Sequence, residues 1–128
     1  MDKYSQAALI TIEACASDRR LNIDDEWKKA VKSLGISDKP CPKVAFKGLC
    51  SEGMVKGITP DRCLLKREFK NKMYALKAAE LVLAGHKVDV NELWAKVIPE
   101  EKKHNGQMLI VINLFNAGLL QKSNKSAK

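Results

Sequence analysis

The sequence predicts an all-α protein of about six helices, a tandem repeat of a three-helix, helix-turn-helix-like unit folded into one compact body. Three observations carry this prediction. Apolar residues recur at helical rather than strand spacing through most of the chain. A cap residue followed five positions later by tryptophan occurs twice, at Asn22/Trp27 and Asp89/Trp94. The phrase around Gly53 returns around Gly118, with Leu49-Cys50 matching Leu114-Phe115 and Met54-Val55 matching Leu119-Leu120. The organisation expected is a first repeat over 1–57, a basic linker over 58–70, a second repeat over 71–121 and a disordered basic tail over 122–128.

In chain order, the first helix rests on Tyr4, Ala8, Thr11, Ile12 and Cys15, which share one helical face. The second starts at Asn22, an N-cap with Asp25 three residues on. Its apolar side is Trp27, Ala30, Val31 and Leu34, and Gly35 ends it. For the third, Cys41 can cap, Pro42 suits the first helical position, and Gly53 suits the left-handed residue that closes a helix. "GITPDR", from Gly57, reads as an ordered turn in the linker. The fourth helix repeats the first, with Asn71 as cap, Tyr74, Ala78, Leu81 and Val82 as its stripe, and Gly85 as its stop. In the fifth, Asp89 and Glu92 form a capping pair before Trp94, Val97 and Ile98, and Pro99 stops it. The sixth runs from a cap at Asn105 through Met108–Phe115 to Gly118.

The two copies of the repeated phrase differ in character. Met108–Phe115 is apolar nearly all round, as expected of a helix buried on several sides. Its counterpart sets Val44, Ala45, Phe46, Leu49 and Cys50 on one side and Lys43, Lys47 and Ser51, spaced by four, on the other. One copy is expected to be core and the other to keep a surface. A half of about 60 residues is marginal alone, so the halves are expected to pack together.

Composition narrows the function classes. With 45% hydrophobic and 30% charged residues the chain is an ordinary globular sequence. Its longest apolar run falls far short of a bilayer span, and the N-terminal stretch lacks the pattern of a secretory signal. A cytoplasmic location is expected, with the four cysteines reduced. The net charge is +8. Its densest patch, Lys56 to Lys77, carries a net +5 from seven bases against Asp61 and Glu68. Such a balance favours polyanionic partners or simply solubility.

The functional expectation is a non-enzymatic binding protein that contacts nucleic-acid phosphates, DNA or RNA, through one basic face. Its candidate residues are Lys43, Lys47 and Ser51 on the third helix, with Arg62, Lys66, Arg67, Lys70 and Lys72 following. Lysines near a helix N-terminus can meet phosphate oxygens. With no Arg, Asn or Gln on that face, base reading would be weak. The alternative is a protein-interaction or homodimerisation module with no nucleic-acid role.

Catalytic and metal chemistry find little support. Cys41, beside Lys39 and Lys43 at a helix start, could have a lowered thiol pKa. It could equally be a cap or a small buried group. No histidine stands near it in sequence as a base, and no C-x-x-C pair marks a metal site. Cys15 and Cys50 lie on apolar faces and are expected in the core, as are Trp27 and Trp94. No cofactor and no catalytic or metal-ligating residues are expected.

The segments "CPKVAFKGLCSEG" from Cys41, "KNKMYA" from Lys70 and "KHNGQM" from Lys103 together resemble a family of short bacterial proteins with no assigned function. The resemblance covers nearly the whole chain. It implies no activity, cofactor or catalytic residue. Likeness of the first segment to parts of helix-turn-helix modules adds analogy of fold to the nucleic-acid expectation.

Overall fold

The structure is a computed structural model and describes residues 2–60, 70–85 and 107–122. Within these residues the chain is all-helical, with five helices and no strand beyond one isolated β-bridge. The expected helix around Trp94, the caps at Asp89 and Asn105, and the expected tail beyond Lys122 lie outside the described residues.

Helix α1 (Lys3–Ser17) opens on Asp2, whose carboxylate accepts the Ser5 backbone N–H at 3.1 Å. Its buried side contains Ala8, Thr11, Ile12 and Cys15 of the expected stripe, together with Ser5 and Ala7. The Thr11 hydroxyl is satisfied within the helix, donating to the Ala7 carbonyl at 2.8 Å. Helix α2 (Ile23–Ser33) follows with the expected cap: Asn22 Oδ1 accepts from Asp25 N at 3.1 Å. Trp27, Ala30 and Val31 are buried, and Asp24, Asp25 and Glu26 place negative charge in the first turn, where the helix dipole favours it.

Helix α3 (Pro40–Ser51) begins earlier than expected. Lys39 is the N-cap, with φ −86° and ψ 140°, and no side chain caps it. Cys41 therefore sits inside the first turn rather than at the cap. The reason is Pro40: it forces the preceding residue to be extended, and its fixed φ and missing N–H suit the first helical position. Helix α4 (Lys70–Leu83) corrects a second cap. Asn71 is already helical there, one residue inside the helix rather than at its cap. Helix α5 (Gln107–Asn116) is the apolar one, with Met108, Ile110, Val111, Ile112 and Leu114 all buried.

Packing joins the two halves of the sequence. The most extensive contact is α3 on α4, followed by α1 on α2, and α5 touches α4, α1 and α3. The all-apolar helix thus has neighbours on several sides, as its composition requires. Between α1 and α5, Asn113 donates to Ser5 Oγ at 2.9 Å and to Asp2 Oδ1 at 3.2 Å. Trp27 is fully buried and stacks on Phe46 with centroids 5.4 Å apart. Cys15 and Cys50 are buried and form no disulfide, in keeping with small apolar packing groups.

The repeated phrase produces the same helix ending twice. Gly53 and Gly118 have φ of 73° and 74°, a region open to glycine at little cost. After α3, Gly53 N–H bonds Cys50 O and Met54 N–H bonds Leu49 O; after α5, Gly118 bonds Phe115 and Leu119 bonds Leu114 in the same pattern. Both are Schellman endings. The residues that follow then pair with each other. Val55 and Leu120, 65 positions apart, form an antiparallel bridge. It is closed by Lys56 N–H to Leu119 O at 2.8 Å and Gln121 N–H to Met54 O at 2.9 Å. The Gln121 side chain adds a bond from Nε2 to Gly53 O at 2.9 Å.

Candidate functional site

The lysines expected to meet phosphate lie beside carboxylates of the chain itself. Lys47 Nζ lies 2.8 Å from Asp24 Oδ1. Lys43 Nζ lies 3.8 Å from the same oxygen and 3.9 Å from Asp38 Oδ2. Their side chains keep only 15% and 23% of their exposure. The first turn of α2 and the α2–α3 loop thus cover this side of α3 with acids. Asp38 also accepts the Trp27 indole N–H at 3.1 Å, which anchors the loop to the core.

Ser51 departs further from expectation. It is buried and donates to Gly48 O at 2.9 Å, within its own helix. Lys72 is also buried: its ammonium lies 3.4 Å from Glu52, and its stem lies across Gly48. The approach is close because glycine leaves the α3 surface bare, and a long lysine stem can cover apolar backbone while its charge finds a partner. Lys70 lies in the first turn of α4. Arg62, Lys66 and Arg67 lie outside the described residues. The structure therefore brings Lys43 and Lys47 together beside the acids of α2 and the α2–α3 loop, sets Lys72 in the α3–α4 contact, and buries Ser51. Asp24 and Asp38 were the residues missed. A helix wheel drawn for α3 alone cannot show acids arriving from a neighbouring element.

The same loop perturbs Tyr4. Its hydroxyl donates to Ser37 O at 2.7 Å. Burial, with a smaller contribution from Asp38, raises its pKa above the ordinary value of 10.0. Since the neutral form is the one favoured in the fold, Tyr4 adds stability below pH 10 that is lost as the pH rises through its folded pKa. Ultraviolet titration of the phenolates should show Tyr4 ionising above pH 10, a component absent from Tyr4→Phe. Ionisation of Tyr4 at or below its ordinary value would contradict this.

Farther along α1 lies an open apolar groove. Leu9, Ile12 and Ala16 form its floor, spaced along one helix face, and Leu119, Lys56 and Gly57 form the facing wall. Ala16 and Gly57 are shared with an adjoining hollow bounded by Arg19, Ile58, Thr59, Pro60 and Gln121. The Val55–Leu120 bridge builds the wall, since it fixes the segments 54–57 and 119–121 side by side. Ile10, 42% exposed, extends apolar surface beyond the groove on the flank of α1 shared with Ser17. No motif announced this site. Leu9 and Ala16 stand among other apolar residues of α1, and only the arrival of Leu119 makes a groove of them.

Among the described residues, no group of three or more His, Cys, Asp or Glu side chains is placed to hold a metal ion. Likewise no described helix is long and apolar enough to cross a membrane.

The fold and groove define a small all-helical protein with an apolar surface recess. The chain belongs to a family of unknown function (DUF6979), whose profile matches residues 1–121. No match was found among curated proteins or among solved structures.

Proposed function

We propose that this is a non-enzymatic binding protein that engages another polypeptide through the groove between α1 and the Val55–Leu120 bridge. One observation carries the reading: the groove is an open, mainly apolar recess on the described surface, whereas Lys43 and Lys47 are engaged by Asp24 and Asp38. Apolar recesses with charged rims suit peptide segments. The architecture belongs to the same proposal. The two matching Schellman endings, and the pairing of equivalent residues Val55 and Leu120, support a tandem repeat whose halves close on each other. On this reading the surface between the repeats is what the duplication provides.

A photo-crosslinking residue introduced at Ala16, in the groove, and at Lys28, on the outer face of α2, tests the proposal in the native cell. The expected result is a discrete, nuclease-resistant polypeptide adduct from position 16 and none from position 28. Adducts from neither position, or nuclease-sensitive adducts from both, would count against it. A second measurement addresses the phosphate reading. In polarisation titrations with random duplex DNA at low salt, Lys43→Ala/Lys47→Ala should leave any affinity within about twofold, because these ammoniums are already neutralised locally. A tenfold loss with a shallower salt dependence would return those lysines to a phosphate backbone.

A further inference from the structure

The charges around the groove point to the chemistry of its occupant, an inference that rests on the polypeptide-binding reading. We propose that the groove takes a short amphipathic helix of a partner protein, whose acidic side chains meet Lys56 on the groove wall and Arg19 in the adjoining hollow. The floor residues Leu9, Ile12 and Ala16 are spaced to meet an apolar stripe on such a helix. From Leu9 to its end at Ser17, α1 runs about 12 Å at 1.5 Å per residue, long enough to accept roughly two turns. Arg19 and Lys56 are exposed, and neither has an ion-pair partner among the described residues. Arg20, by contrast, is held by Asp18 at 3.1 Å. The one carboxylate on the groove, Glu13, stands farther along α1 toward Leu9. Lys56 on the wall and Arg19 in the adjoining hollow thus outweigh Glu13, and the described surroundings of the groove are net basic.

Charge also distinguishes between occupants. A second copy of this chain would bring one +8 molecule against another, and like charges oppose that association. An acidic partner is drawn to the same surface, and the two exposed bases select its orientation. The floor supplies affinity and the rim supplies the choice of partner.

Selection of random displayed peptides, each long enough for several helical turns, tests this with the full chain as bait. The expected winners carry apolar residues at three- and four-residue spacing followed by Asp or Glu. Arg19→Glu/Lys56→Glu should weaken them by about tenfold or more, and Ala16→Trp, which fills the floor from an exposed position, should abolish binding. Circular dichroism of each variant confirms its fold. Winners without acidic enrichment that are lost in Ala16→Trp but indifferent to the charge reversal would overturn the acidic-helix inference and leave the groove reading standing. Winners indifferent to all three substitutions, or no enrichment at all, would overturn both. Sedimentation of the protein alone supplies the remaining arm: a dimer dissolved by Ala16→Trp would assign the groove to a second copy and sink the inference.

Discussion

Trp27→Ala is expected to destabilise the protein by about 3–5 kcal/mol, the range for deleting a large aromatic from a packed core. Trp27 has no exposed surface and lies stacked on Phe46 at an interplanar angle of 19°. Truncation removes transfer free energy, the ring–ring contact and the indole N–H that holds Asp38, and it leaves a cavity between α2 and α3. A domain of this size has a total stability of about 5–15 kcal/mol, so the variant should be only marginally folded. Urea unfolding followed by far-ultraviolet circular dichroism gives the number. Trp27→Phe, which keeps a ring against Phe46, should lose much less. A loss below about 1 kcal/mol for the alanine variant would mean that the core does not depend on this residue.

Gly48→Ala is expected to have opposite effects on the helix and on the protein. In an isolated α3 peptide, alanine should raise helicity, being better than glycine by about 0.5–1 kcal/mol. In the whole chain the new Cβ would stand 2.5 Å from Lys72 Cγ, 2.9 Å from its Cβ and 3.1 Å from its Cα. These atoms lie at or next to the backbone, so no rotation of the side-chain tip relieves the clash. Helices α3 and α4 must move apart, which costs about 1–3 kcal/mol in overpacked cores and also stretches the Lys72–Glu52 pair. The net change should be a loss of stability, read from the urea midpoint, alongside a gain in peptide helicity. Stabilisation of the full chain would show that the two helices are not in close contact at Gly48.

Local signals in the sequence were sufficient for much of the fold. Asn22 and Asp25 form the cap they resemble, because capping needs only neighbours in sequence. Gly53 and Gly118 end their helices for the same reason. The cap on α3 was misplaced because two prolines, Pro40 and Pro42, both fit a first turn, and only the conformation of Lys39 decides between them. Asn71 lies inside α4 rather than at its cap, since a local cap signal does not by itself fix where a helix begins. Ser51 and Lys72 are residue types that are usually exposed; the bare backbone at Gly48 lets the Lys72 stem be covered, and Ser51 is buried with its hydroxyl bonded inside its own helix. Gly48, a lone glycine inside a helical pattern, was the available clue to that close approach.

The candidate site was less legible than the fold. Charge spacing on α3 is a one-element observation, whereas the fate of Lys43 and Lys47 depends on Asp24 and Asp38 from other elements. The groove is harder still, since Leu9 and Leu119 stand at opposite ends of the sequence. Its components could be named from the chain, but their meeting depends on how the helices pack.

The Val55–Leu120 bridge has a consequence for following the molecule as it opens. Closing a loop of 65 residues costs about 4 kcal/mol in chain entropy, from the logarithmic dependence on loop length. The three hydrogen bonds across the bridge return about 3 kcal/mol, at about 1 kcal/mol each. The clasp therefore cannot hold the ends of that loop together unaided; it closes when α5 seats against α3 and α4. The amides of Lys56 and Gln121 are consequently sentinels of that docking. Their exchange with solvent deuterium should keep pace with separation of the helices, and so time the opening of the wall that any groove-bound partner would feel first.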